Sequence, residues 1–283
     1  MMTPRVAVAA FLLTVLAACS NEPPAATGPA YYQWPDSFAF LIEFVSESRS
    51  DTVLLVRYEE RKALRFVARG DRFLVWHDSV VKESLMPGRA ALVEPFAPED
   101  TLQYYAAMDR RGRISGSEPG CDPAAPACRE ALPSTLPLEV RRLVPALPEP
   151  PPRRGQTWED TVVFDDTPRP RGVRGSVVTS YRVMGDTVVA GDTLWVIAWR
   201  SVRRTFGGAG GLAGLTPNQP VEEVGMGFSE RRTGLPVYAT WAGGVVAPPG
   251  VRAATGVSGT GFRGRAYLAG SVVERVLSPA SPE

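Results

Sequence analysis

Histidine occurs once in this chain, at His77, and lysine only at Lys62 and Lys82 among 31 basic residues. One imidazole excludes a histidine-rich metal site, and leaves any serine or cysteine nucleophile a single candidate base. The scarcity of lysine points to codon bias in a GC-rich genome more readily than to function. Net charge is missing too: the 31 basic residues less Arg5 in the leader leave 30, against 30 acidic ones. That balance argues against a nucleic-acid partner held by phosphate neutralisation. Long apolar runs are also absent. The longest, Val6 to Leu16, falls well short of the about 20 residues that a membrane-spanning helix needs. Its charged start (Met1 to Arg5) and small-residue end have the form of a secretory signal.

That run closes on Leu16-Ala17-Ala18-Cys19, which resembles the lipobox of bacterial lipoproteins. The resemblance implies that residues 1–18 are removed and that Cys19 is lipidated as the new N-terminus. Ser20 stands where an aspartate would signal retention at the inner membrane, so the expected address is the outer membrane, facing the periplasm. The alternative is an ordinary cleaved signal with a chance cysteine. Residues 19–30 are small, polar and Pro-rich, as a tether would be.

Two further cysteines, Cys121 and Cys128, lie in a turn-rich segment. In an oxidising periplasm two cysteines this close are expected to pair as a structural disulfide. Their spacing is not that of a redox-active pair, and no helix start is evident to lower a thiol pKa.

The remaining chain reads as mainly β. The first β-rich half is 31–115, with strands at Phe38–Phe44 and Asp51–Tyr58 and a hairpin about Arg69-Gly70-Asp71-Arg72. Arg69-Gly70-Asp71 matches the integrin tripeptide, but strands on both sides make it a turn. His77 alternates with Phe73 and Val75, as a packing or surface residue would. A second hairpin turns at Asp109-Arg110-Arg111-Gly112, although Leu102–Met108 could also be a short helix.

Residues 116–155 form a connector holding the cysteine loop and a run of prolines. Within it Leu138, Leu143, Val144 and Leu147 suit a short amphipathic helix, with Pro137 in its first turn and Pro145 ending it. The second β-rich half is 156–276, followed by a tail at 277–283. Tight turns are expected at Gly185-Asp186 and Gly191-Asp192. The apolar stretch Thr193–Arg200 is expected at the centre of the sheet, buried on both faces. Recurring Asp-Thr pairs are read as turn closures followed by strand starts, and the paired arginines as solvated turns and strand faces.

No reaction site emerges. Gly256-Val257-Ser258-Gly259 and Gly227-Phe228-Ser229-Glu230 lack the last glycine of a nucleophile elbow and sit in β context. Asp165-Asp166 and Glu222-Glu223 are too commonplace to mark an acid–base pair. The glycine-rich stretch 207–211 lacks the lysine and Ser/Thr of a phosphate loop. The expectation is therefore no enzyme, no cofactor and no metal.

The order of features suggests a further resemblance. A lipobox, a β half, a helix and Leu147-Pro148 precede Gly155-Gln156-Thr157-Trp158, then Gly225-Met226-Gly227-Phe228 and Thr233-Gly234-Leu235-Pro236. This looks like a group of uncharacterised bacterial envelope lipoproteins, similar in expected architecture to the half-barrel lipoprotein carriers. It implies a curved antiparallel sheet with one or two short helices in its concavity, and a cavity for a lipid or other apolar ligand. Two readings follow: a lipid-anchored binding module, or an assembly lipoprotein that uses a sheet face or edge to bind another envelope protein. An apolar pocket would favour the first, and a filled core with a flat external patch the second.

Overall fold

The computed structural model describes residues 31–70, 72–94, 103–119, 136–165, 174–206, 220–246 and 259–277. Cys19, Cys121 and Cys128 lie outside these residues, as do the signal, the tether, Ser258 and the glycine-rich stretch 207–211.

The strands are β1 (Ser37–Ser50), β2 (Val53–Arg69), β3 (Arg72–Leu85), β4 (Leu92–Glu94), β5 (Gln103–Met108), β6 (Ile114–Pro119), β7 (Thr157–Asp165), β8 (Arg174–Val189), β9 (Asp192–Phe206), β10 (Val221–Glu230), β11 (Pro236–Val246) and β12 (Gly259–Leu268). They form one open antiparallel sheet of 12 strands, ordered β6-β5-β3-β2-β1-β12-β11-β10-β9-β8-β7, with β4 beside β3. Helices α1 (Leu136–Leu143) and α2 (Val272–Leu277) complete the described elements. The mainly β, curved-sheet expectation is met.

The chain starts mid-sheet at β1 and steps outward to one edge, β6. It then crosses to the opposite edge, β7, and steps back inward until β12 pairs with β1 from Phe40↔Leu268 to Arg49↔Gly259. The two expected halves thus share one sheet, joined by the pairing of its first and last strands.

The sheet must curl. Lys62 on β2, His77 on β3, Glu223 on β10 and Asp160 on β7 all reach α1. From β3 to β7 there are eight strand spacings, about 38 Å if flat. An eight-residue helix is about 12 Å long and about 10 Å across. Only a trough wrapped around α1 brings those residues to it.

Local chemistry accounts for the elements. Gly70, at φ 65°, sits in the tight link between paired Arg69 and Arg72. The β8–β9 hairpin turns at Ala190-Gly191, both with positive φ, one residue earlier than expected; Asp192 already belongs to β9. Gly185-Asp186 is not a turn. β8 runs through it, with a register shift between Val183 and Gly185 that marks a bulge. Helix α1 carries Pro137 in its first turn and ends before Pro145, as the sequence suggests. Strand β9 has Leu194, Trp195, Val196 and Ile197 all buried, yet it lies third from the β7 edge; the centre of the sheet belongs to β12 and β1. Local hydrophobicity reports burial, not sheet order.

The core lies between α1 and the trough. Val140, Leu143, Val144 and Leu147 pack with Phe40, Leu64, Phe66, Val75, Tyr181, Trp195 and Ile197. Glycines on the strands admit the indoles: the Trp199 ring lies across Gly225 and the Trp241 ring across Gly264, where a Cβ would collide with them. One end of the trough is tied shut. The Tyr32 hydroxyl donates to the Pro145 carbonyl at 2.6 Å, the Leu147 amide to Arg111 at 2.9 Å and the Trp158 indole to Ala146 at 2.6 Å. The connector therefore spans the gap between the β6 and β7 edges at that end.

Candidate functional site

Period-two alternation puts every second residue of each strand on the concave face. On β1 and β2 these are Ile42 paired with Lys62 and Phe44 paired with Glu60. Across β7 to β10 they are Asp160, Thr179, Ser201 and Glu223, in register with one another. Apolar residues fill the tied end, and the face turns charged where it meets the polar flanks of α1.

Three side chains of α1 engage this row. Glu139 accepts from Lys62 Nζ at 2.6 Å and contacts His77 Nε2 at 3.2 Å, and Lys62 also pairs with Glu60 at 3.4 Å. Burial pushes the Glu139 carboxyl up, but the adjacent Lys62 ammonium and His77 outweigh it and hold the group well below the usual carboxylate range. Burial alone would lower the Lys62 ammonium; Glu139 and Glu60 reverse that and raise it. Arg142 binds Glu223 through Nε at 2.8 Å and a second nitrogen at 2.5 Å, a bidentate pair. Arg141 lies 3.0 Å from Asp160 and donates to the Gly112 carbonyl at 2.7 Å. That carbonyl is within reach because Gly112, at φ 78°, occupies a place where a Cβ would press on Val144 and Tyr32.

The row corrects one expectation, that paired arginines are solvated. Arg141 and Arg142 are not a solvated pair: Arg141 is buried and Arg142 is bonded into the trough. Glu222 and Glu223 both lie on β10, and Glu223 faces inward, 6% exposed.

Between α1 and the sheet remains a cleft of about 80 Å³, lined by Ile42, Phe44, Leu143 and Trp241 with Glu60, Lys62, Glu139 and Arg142. Beyond it the half-buried Phe44 and Phe262 rings meet at 5.9 Å. A smaller recess of about 20 Å³ lies on the other flank of Arg142, bordered by Arg141, Val177, Ser201, Arg203, Val221 and Glu223. The trough is therefore largely filled, and its open part combines an apolar wall with a charged floor.

His77 stands on the inner face of β3, against Glu139, and Ser229 is buried on β10. Strands β2, β1, β12 and β11 lie between them in the sheet, and among the described residues His77 is bonded to Glu139 and not to this serine. Among the described residues no three His, Cys, Asp or Glu side chains gather to hold a metal, and no helix is long and apolar enough to cross a membrane.

No protein-family model matches the chain, and no curated protein matches it. Among solved structures, the lipovitellin of a study of lipid–protein interactions aligns at TM-score 0.48 and 10% identity. The alignment covers 84% of this chain and 25% of lipovitellin. A protein of unknown function from the DUF3598 family of Nostoc punctiforme aligns at TM-score 0.11 and 11% identity, over 81% of this chain and 94% of its own. At these scores neither neighbour informs the function.

Proposed function

We propose that the chain is a lipid-anchored, non-enzymatic binding module of the bacterial envelope, held through Cys19 at the periplasmic side of the outer membrane. Its ligand is a lipid or other apolar molecule taken against the concave face beside α1. The observation that carries this reading is the cleft, where Ile42, Phe44, Leu143 and Trp241 leave an apolar surface open on a face otherwise filled by core. Ligand sites are concave and mostly apolar, with a few polar groups that set orientation. At about 80 Å³ the cleft is smaller than the about 300 Å³ of a typical pocket, so it would hold one end of a ligand while the rest lay along the Phe44–Phe262 wall.

The test is native mass spectrometry of the chain from residue 31 onward, produced in a periplasm, with an organic extract of the same sample. Added mass that leaves on extraction and reappears as lipid supports the reading. A bare mass, together with no gain on incubation with lipid, would overturn it and favour the assembly alternative. The anchor is tested separately. Cys19→Ala should release the protein from the membrane fraction, and continued fractionation with membranes after signal processing would sink the lipobox assignment.

A further inference from the structure

Arg203 has no place in the ion-pair row described above, although it faces the same trough. Register puts it between Val177 on β8 and Val221 on β10, one inward position beyond Ser201. It is half-buried, and its Nε is shielded from solvent without a hydrogen-bond acceptor among the described residues. The recess it borders holds three guanidinium groups, those of Arg141, Arg142 and Arg203. The nearby carboxylates are paired with other guanidinium groups: both Glu223 oxygens accept from Arg142, and Asp160 stands in charge contact with Arg141 at 3.0 Å, without a hydrogen bond. Thr179 and Ser201 hydroxyls, 2.7 Å apart, bond to each other beside it. The recess thus carries one positive charge more than its acids neutralise. Burial works against the Arg203 charge; Glu223 offsets part of that, and the neighbouring Arg142 opposes it.

We infer that Arg203, backed by Arg142, receives an oxyanion: the carboxylate or phosphate of the ligand whose apolar part lies along the cleft. A recess of about 20 Å³ admits an oxygen-sized atom and little more, which suits one charged oxygen donated to by a guanidinium. Arg142 lines both recess and cleft, so head and body of one amphiphile can occupy them together. From β9 to the Phe262 wall on β12 is three strand spacings, about 14 Å, within the span of a long acyl chain. The apolar half of this inference rests on the proposed function; the anion half does not.

Binding to the full chain is measured by tryptophan fluorescence with hexadecanoate, hexadecanol, acetate and inorganic phosphate, for wild type and Arg203→Gln. Hexadecanoate is expected to bind at least tenfold more tightly than hexadecanol, and Arg203→Gln to bring the acid down to the alcohol's affinity while leaving the alcohol unchanged. Acetate or phosphate binding at millimolar concentration, lost in Arg203→Gln, with no binding of either long-chain probe, would keep the anion site and overturn the apolar reading. Equal binding of acid and alcohol, indifferent to Arg203→Gln, would keep the apolar reading and overturn the anion site. Arg203→Lys, which keeps the charge, separates loss of the site from loss of the fold: it should retain part of the preference for the acid.

Discussion

Glu139 carries the tie between α1 and the N-terminal half of the sheet. It accepts from Lys62 and faces His77, so its charge is favoured in the folded chain although burial opposes it. Glu139→Gln keeps the shape and removes the charge, leaving Lys62 with Glu60 alone; the expected loss is about 2 kcal/mol at neutral pH. The sign with pH follows from the depressed carboxyl. Its contribution is complete above the unfolded value of about 4.3 and is lost as pH falls toward the lower folded value. Urea unfolding of wild type and variant should therefore differ at pH 7 and draw steadily together as pH falls below about 4. A difference unchanged by acid would mean that Glu139 acts through packing alone. Lys62, raised by its two acids, contributes below its ordinary range and loses that contribution only as pH rises past it. Glu139 is remote in sequence from all of these partners, 77 residues from Lys62 and 62 from His77. Glu60 and Lys62 continue the inward alternation of Leu64 and Phe66, which signals charge at an inward position, but nothing local says which helix would meet them.

Helix α1 was the element most legible in advance, because its apolar spacing and two prolines are local signals. What the spacing could not tell was that its charged flanks would also be taken up, since both walls around it come from strands far away in the chain. Leu143 tests its role. The side chain is fully buried in the core and also forms part of the cleft wall. Leu143→Ala should cost about 2–5 kcal/mol and enlarge the cleft. Denaturant titration should show the lost stability, while a lipid bound in the cleft should tolerate the change or bind more tightly. Unaltered stability would mean that the helix merely rests on the trough. Among the strands, the hairpins at Gly70 and near Gly191 are legible from glycine, whereas Gly185-Asp186, which has the composition of a turn, lies within β8. Positive φ in mid-strand serves a bulge as well as a turn, and only the partner strand distinguishes them.

The whole molecule depends on a contact between its first and last strands. The two β-rich halves are visible in the sequence as separate stretches of alternation joined by a Pro-rich connector. In the structure β1 pairs with β12 over ten positions, and α1, from the connector, packs against both halves. Neither half owns a complete core: Phe40, Leu64 and Val75 from one and Trp195, Ile197 and Ala266 from the other enclose the same helix. A fragment of residues 31–119 would lose β12 beside β1 and Val140, Leu143 and Val144 above its aromatic face. It would then expose a strand edge and the Phe38–Phe40–Phe66–Phe73 cluster together. The fragment should accordingly show no cooperative unfolding. The full chain should unfold in one step, with far-UV circular dichroism and tryptophan fluorescence coincident, because Trp34 and Trp76 lie in one half and Trp195, Trp199 and Trp241 in the other. Two separated transitions, or a fragment with a cooperative transition of its own, would show that each half keeps a core without the other. In that case the cleft, which takes Ile42, Phe44 and Lys62 from one half and Trp241 from the other, would lie between two independent units instead of within one.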